Sequence, residues 1–259
     1  MIKAIFFDID GTLVDFGTHG LTGETHAALT ALRERGVKLF LATGRNPRSL
    51  KQSGAEELFA FDGVVCLNGQ LCYDRGGVFS RRAIAREDIA ALLPLLERYG
   101  LPCTFIEEQY VYINAMTDKV AHALESVRIT PPPAEDPRRA LQGDVLQLVL
   151  YADPAEEALI LPHLKHCRSA RWNPRSTDII PAHGGKDRGI DDMLARFGIS
   201  LSESMAFGDG HNDISMLRHA GIGVAMGNAH DDVKAAADYI TADCAKNGVA
   251  EALRHFGLI

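Results

Sequence analysis

Ile5-Phe6-Phe7-Asp8-Ile9-Asp10-Gly11-Thr12 is apolar as far as Phe7, then carries two carboxylates two positions apart, and a Gly-Thr pair turns the chain away. An exposed strand would alternate apolar and polar residues, so the unbroken run reads as a strand buried on both faces. Side chains at i and i+2 point the same way, which places Asp8 and Asp10 at one opening at the strand's carboxyl end. Two close anions there are costly unless a cation or a proton lies between them. With only oxygen donors on offer and no His or Cys beside them, the expected ion is a hard one, Mg2+ before zinc. The same residues are also compatible with an ordinary strand-end turn in which Asp caps local amides.

The polar stretch from Asp15 to Gly20 leads to Thr22, a predicted N-cap for a helix closed by Gly36, and Val37 to Ala42 is a second continuous apolar run. Strand, helix, strand is a βαβ unit, whose crossover makes the two strands parallel. The second strand ends in Thr43-Gly44-Arg45, at the same sheet edge as the carboxylates. Thr43 can bind a phosphoryl oxygen through its side chain and amide, or cap a helix ahead of Pro47. Arg45 reads as a salt-bridge residue. Val64 to Leu67 and Leu71 to Tyr73 flank Asn68-Gly69, a two-residue hairpin if Gln70 already belongs to the return strand.

From about Ile84 the texture changes. A helical pattern (Ile89, Leu92, Leu93, Leu96) is interrupted by Pro94, an expected kink. Strands are predicted at Cys103 to Ile106, Tyr110 to Ala115 and Val145 to Tyr151, with short ones near Arg171 and from Thr177 to Ile180. Helices are predicted from Thr117 to Val127 and after Asp153-Pro154, and Pro131-Pro132-Pro133 as a stiff loop. This is an inserted α+β domain at residues 83–183, leaving 1–82 and 184–259 as a core. Helical signals resume at Lys186 and close at Gly198. A third buried run, Met205 to Phe207, ends in Gly208-Asp209-Gly210-His211-Asn212-Asp213, and a helix from Asn212 to Ala220, two short strands (Ile222 to Ala225; Tyr239, Ile240) and two more helices follow. The class is α/β with a doubly wound parallel sheet.

Four separated pieces then meet at the carboxyl edge of one sheet: Asp8 with Asp10, Thr43 with Gly44, Lys186, and Asp209 with Asn212 and Asp213. One Mg2+ held by Asp8, Asp209 and the backbone carbonyl of Asp10 would neutralise the carboxylates, while Lys186 and helix N-termini hold phosphoryl oxygens. The inventory suits a two-step phosphoryl transfer in which Asp8 attacks phosphorus and Asp10 serves as acid and then base. Thr12 is expected to orient Asp10, and Asp213 to position Lys186.

Asp8-Ile9-Asp10-Gly11-Thr12, Leu41-Ala42-Thr43-Gly44-Arg45, Lys186 and Gly208-Asp209-Gly210-His211-Asn212-Asp213 resemble the four ordered motifs of the haloacid dehalogenase superfamily, and the insertion resembles the cap of its Cof-type subclass IIB. The resemblance covers the whole chain. It implies a Rossmann-like core, Asp8 as nucleophile, Asp10 as acid and base, phosphate held by Ile9, Thr43, Gly44, Lys186 and Asn212, and Mg2+ on Asp8, Asp10 and Asp209. Aspartate at the nucleophile position favours phosphatases over phosphonatases or dehalogenases. Asp187 stands where the family often has Gly after the lysine.

The implied substrate is a small phosphorylated metabolite, a sugar phosphate or a phosphorylated cofactor such as pyridoxal phosphate. A phosphomutase, or a non-enzymatic phospho-ligand sensor on the same fold, would use much of the same machinery. The formal charge of −7 disfavours nucleic acid and anionic membrane partners. Five scattered cysteines without C-x-x-C spacing, and no apolar run of membrane-spanning length, point to reduced thiols in the cytoplasm. His163, His166 and Cys167 fall at helical i, i+3 and i+4, a face that soft metals use, but no fourth ligand lies nearby in sequence. His211 reads as a loop residue or a substrate contact, and Tyr110, Tyr112 and Trp172 as packing in the inserted domain.

Overall fold

The computed structural model describes residues 1–15, 20–126 and 130–259. Expectations for residues 16–19 of the polar stretch, for Val127 and for the packing of the Trp172 side chain lie outside the described residues. The chain forms two units, Met1–Arg45 with Leu50–Ser80 and Gly185–Ile259, and Asn46–Ser49 with Arg81–Gly184.

The chain opens with β1 (Ala4–Phe7), α1 (Gly23–Glu34), β2 (Lys38–Ala42), α2 (Pro47–Ser53), β3 (Gly63–Cys66), β4 (Leu71–Asp74) and β5 (Gly77–Arg81), all in the first unit except the first turn of α2 and the last residue of β5. All four β1 side chains are fully buried, as the unbroken apolar run requires. Phe6 stacks on Phe40 at 4.9 Å between ring centroids, and Phe7 stacks on Phe207 at 5.2 Å, so β1 is gripped through both neighbouring strands. Each such burial stabilises by about 1.5–3 kcal/mol. Thr22 caps α1, its Oγ1 accepting the Thr25 N–H at 3.1 Å, and Gly36 leaves the helix at φ +78°.

The second unit contains α3 (Arg86–Tyr99), β6 (Cys103–Glu107), β7 (Val111–Ile113), α4 (Asp118–Ser126), β8 (Val145–Leu150), α5 (Pro154–Ile160), β9 (Cys167–Asn173) and β10 (Ser176–Pro181). Its strands form a separate sheet in the order β7-β6-β8-β10-β9 with antiparallel pairings. Ile89, Leu92 and Leu96 of α3 join Phe105, Leu148 and Ile179 in one cluster, and Val120, Ala123 and Leu124 of α4 join Ile113 and Tyr151 in another. Tyr112 is buried and stacks on Phe105 at 5.1 Å, and Tyr110 stacks on Tyr112 at 6.0 Å. Both rings are therefore packing residues.

The chain then returns to the first unit with α6 (Lys186–Phe197), β11 (Ser204–Gly208), α7 (Ile214–His219), β12 (Ile222–Ala225), α8 (Asp231–Lys234), β13 (Tyr239–Ile240) and α9 (Gly248–His255). The sheet order is β13-β12-β11-β1-β2-β3-β4-β5, parallel from β13 through β3, with β4 antiparallel to β3. Successive strands run outward from β1 on one side as β2 and β3, and on the other as β11, β12 and β13. That reversal is a topological switch point, where the loops at the strands' carboxyl ends diverge and leave a crevice.

α3 carries Pro94 within it, between Arg86 and Tyr99. Three local expectations are corrected. The β3–β4 connection is not a two-residue hairpin: Cys66 pairs with Leu71, and Leu67 to Gly69 form a 3-10 turn. Asn212 lies in a 3-10 turn (His211–Asp213) ahead of α7, not in the helix itself. His163, His166 and Cys167 share no helical face, because α5 ends at Ile160 and Cys167 opens β9. The Cys167 thiol donates to buried Asp88, whose carboxylate also accepts the Lys165 and His166 amides. The described cysteines are free thiols, and no helix among the described residues is long and apolar enough to cross a membrane.

Candidate active site

Asp8 follows β1 directly and Asp209 follows β11. Because those strands pair in parallel register, Phe7 against Phe207, carboxylates about 200 residues apart in sequence emerge side by side. Asp8, Asp209 and Asp213 each present a carboxylate oxygen within 4.8 Å of the others.

Lys186, at the start of α6, is fully buried. Its Nζ donates to Asp8 Oδ1 at 2.6 Å and to Asp213 Oδ1 at 2.5 Å. Burial works against its charge, but the attraction of Asp213 and Asp8 outweighs it and holds the ammonium above its usual pKa. The other oxygen of Asp213 accepts the backbone N–H groups of Asp209 (3.0 Å) and Gly210 (2.9 Å). Asp213 thus ties the lysine to the loop after β11.

Thr12 has a different partner from the one expected. Its hydroxyl donates to Asp209 Oδ1 at 3.1 Å, not to Asp10. The cause is the turn at Gly11, whose φ of +80° swings Thr12 toward β11. A Cβ at Gly11 would also lie 2.2 Å from Asp209 Oδ2, so the position needs glycine for its conformation and for its space. Asp10 is gripped instead by Arg45, whose Nε and Nη2 donate to the two carboxylate oxygens at 2.8 and 2.6 Å. This planar two-point pairing fixes the orientation of both groups. The Asp10 carboxylate accordingly stands outside the Asp8–Asp209–Asp213 group.

Thr43 is buried, and its amide is committed to the Val65 carbonyl at 2.8 Å. Its Oγ1 accepts the Arg45 N–H at 3.1 Å, so the hydroxyl proton is what it can offer a ligand. The expectation that the Thr43 amide also binds phosphate is corrected by that sheet bond. Ile9 buries its side chain, and its carbonyl accepts the Leu13 and Val14 amides, closing the turn after β1. Gly44 lies against Asn68: a Cβ added at Gly44 would sit 3.2 Å from Asn68 Oδ1. Asn212 donates through Nδ2 to the same Oδ1 at 3.1 Å. His211 is half-exposed and pairs with Asp232 at 3.0 Å, a contact from its 3-10 turn to α8.

Two residues in this arrangement were not read from the sequence as site residues. One is Asn68. The other is Asn228, whose Nδ2 donates to the Gly11 carbonyl at 2.9 Å and stands 3.4 Å from Asp209 Oδ2, while its Oδ1 accepts the Cys244 N–H. Asn228 follows Ala225 by three residues, in the loop leaving β12 at the site's edge of the sheet. That position was the available signal.

The electrostatics of the Asp8–Asp209–Asp213 group favour a bound cation. Burial, opposed by Lys186 and reinforced by Asp213, Asp209 and Asp10, raises the Asp8 pKa well above the usual carboxylate range. Burial and the Asp213 charge push Asp209 up to about 7, against the Thr12 hydrogen bond. One lysine does not balance three carboxylates, and an all-oxygen donor set fits a hard divalent ion.

The family model described as haloacid dehalogenase-like hydrolase matches residues 5–253. The solved structure of the HAD subclass IIB sugar phosphatase BT4131 is 40% identical, covers 99% of this chain and 100% of its own, and superposes with a TM-score of 0.91. YkrA of Bacillus subtilis (strain 168), provisionally named a phosphatase, is 31% identical over 259 residues, 99% of this chain and 98% of its own. YbhA of Escherichia coli (strain K12), named a pyridoxal phosphate phosphatase, is 27% identical over 275 residues, 96% of each chain.

Proposed function

Since the chain belongs to the haloacid dehalogenase-like hydrolase family and is a phosphatase of small phosphorylated substrates, we propose that it hydrolyses sugar phosphates, or a phosphorylated cofactor such as pyridoxal phosphate, with Mg2+ and through an aspartyl phosphate on Asp8. The observation that carries this reading is the Lys186 bridge from Asp8 to Asp213 beside Asp209. It leaves Asp8 Oδ2 without a hydrogen bond among the described residues, next to a cationic group suited to phosphoryl oxygens.

In the first step Asp8 Oδ2 attacks phosphorus, the ester P–O bond breaks, and the leaving alkoxide takes a proton from Asp10. In the second, water attacks the aspartyl phosphate, Asp10 takes the water's proton, and inorganic phosphate leaves with Asp8 regenerated. Arg45 occupies both Asp10 oxygens, so the acid role requires that ion pair to open as substrate enters. Thr43, Gly44, Lys186, Asn212 and the Ile9 amide hold the phosphoryl oxygens, and Thr12 and Asp213 keep Asp209 and Lys186 in place. Asp8, Asp209 and the Asp10 backbone carbonyl would hold Mg2+, which supplies charge neutralisation and polarisation of the phosphoryl group. In this reading residues 83–183 are the cap domain, and 1–82 and 184–259 are the core.

A free-phosphate assay across hexose phosphates, pentose phosphates and pyridoxal phosphate tests this reading. Release with Mg2+, loss with chelator and recovery on adding Mg2+ back are expected. Turnover in metal-free protein would rule out the metal role, and a phosphorylated isomer accumulating in place of free phosphate would make the protein a mutase.

A second test reads the metal site without turnover. Asp8 and Asp209 have folded pKa values above the ordinary value of about 4. Metal-free protein therefore holds protons that its unfolded chain has released, and stability falls as pH rises from about 4 through about 7. Metal must displace those protons, so its affinity rises over the same window. Millimolar Mg2+ is expected to raise the melting temperature several degrees more at pH 8 than at pH 5.5. Equal shifts at both pH values would remove these carboxylates from the metal site.

A further inference from the structure

Leu67, Asn68 and Gly69 have φ values of +53°, +52° and +90°, a left-handed stretch in which only the third residue is glycine. Asn tolerates this region because its short side chain can bond locally, whereas leucine does not. The stretch is no exposed turn: Leu67 and Gln70 are fully buried and Asn68 is 1% exposed. Backbone strain of this kind persists only where the surroundings over-determine it. Here they do. The Asn68 amide donates to the Thr43 carbonyl and the Leu67 amide to the Arg45 carbonyl, both at 3.0 Å, while Gln70 Nε2 donates to the Asn68 carbonyl at 3.0 Å.

The consequence lies in what this turn touches. The Asn68 carboxamide lies against Gly44 and accepts from Asn212 Nδ2. A Cβ on Gly69 would sit 1.9 Å from the Gly185 carbonyl oxygen and 3.2 Å from the Lys186 amide nitrogen, so the backbone of the turn abuts the start of α6. Three segments that arrive from separate strands and a helix, those carrying Thr43–Gly44, Lys186 and Asn212, are spaced by one buried turn.

We propose that Asn68 is a positioning residue of the phosphoryl pocket: its carboxamide oxygen holds one proton of the Asn212 amide and turns the other toward the phosphoryl oxygens, while the left-handed turn sets the separation of the segments around it. The proposal rests on the phosphate-holding role given to Asn212 above. It implies that Asn68 acts through Asn212 and not on substrate directly.

Asn68→Gly tests this, because glycine accepts the left-handed backbone and removes only the carboxamide. The variant is expected to melt within a few degrees of wild type, to bind inorganic phosphate about tenfold more weakly by calorimetry in Mg2+, and to lose about 10- to 100-fold in kcat/KM. The deciding measurement is coupling. Asn68→Gly combined with Asn212→Ala should bind phosphate no more weakly than Asn212→Ala alone. Independent, multiplying losses in the double variant would overturn the proposal, as would wild-type phosphate affinity in Asn68→Gly. If Asn212→Ala alone binds phosphate as wild type does, the role given to Asn212 fails, and this proposal with it. If Asn212→Ala weakens phosphate binding and Asn68→Gly does not, only this proposal fails. Should Asn68→Gly prove less stable, the same binding series run at a temperature where every variant stays folded decides the matter, and wild-type phosphate affinity there would also overturn the proposal.

Discussion

Lys186→Met should abolish measurable phosphatase turnover and cost about 3–5 kcal/mol of stability at pH 8, the range for a buried ion pair deprived of one partner. The side chain is fully buried and bridges Asp8 and Asp213 at 2.6 and 2.5 Å. Methionine fills a similar volume, so packing is largely kept and the loss is electrostatic. The cost should shrink as pH falls, because protonating Asp8 removes one of the stranded charges, and Asp8 already takes its proton well above the usual range. Denaturant unfolding at pH 8 and pH 5.5 checks this. A stability loss independent of pH would mean that the lysine serves as filling rather than as counter-charge.

Asp8→Asn should lower turnover by roughly 10^4-fold or more, the scale seen when a nucleophile is removed from an otherwise intact site. Stability should be preserved or improved. The substitution keeps the shape of the side chain, removes one of three crowded carboxylates, and leaves Lys186 paired with Asp213. Mass spectrometry of acid-quenched reactions should find a phosphoryl adduct on the wild-type peptide containing Asp8 and none on the variant. Full activity in Asp8→Asn would falsify the nucleophile assignment.

The location of the carboxyl-edge residues was legible because each ends an apolar run or begins a helix. Asp8, Thr43 and Asp209 follow β1, β2 and β11, and Lys186 opens α6, so periodicity alone brought them to one edge of the sheet. Who pairs with whom was not legible. Thr12 bonds Asp209 rather than Asp10, and Arg45 takes both oxygens of Asp10. Such choices depend on the curvature of the loop at Gly11, which spacing along a strand does not encode. Asn68 and Asn228 were missed because Asn beside Gly reads as ordinary turn chemistry until the fold places it next to a site. β5 escaped notice for another reason: its residues are half-buried or exposed at the sheet's edge, so Gly77 to Arg81 carry no core signature.

The central strand has one neighbour supplied by the next forty residues and the other by a segment about 200 residues downstream. During synthesis β1 must wait, its Ser204–Gly208 side unpaired, until most of the polypeptide has left the ribosome. Over that interval a fully apolar edge is open to illicit pairing with other nascent chains. The chain's vulnerability to aggregation should therefore peak late in translation, and slowing elongation just ahead of residue 204 should lower soluble yield more than an equal pause placed early.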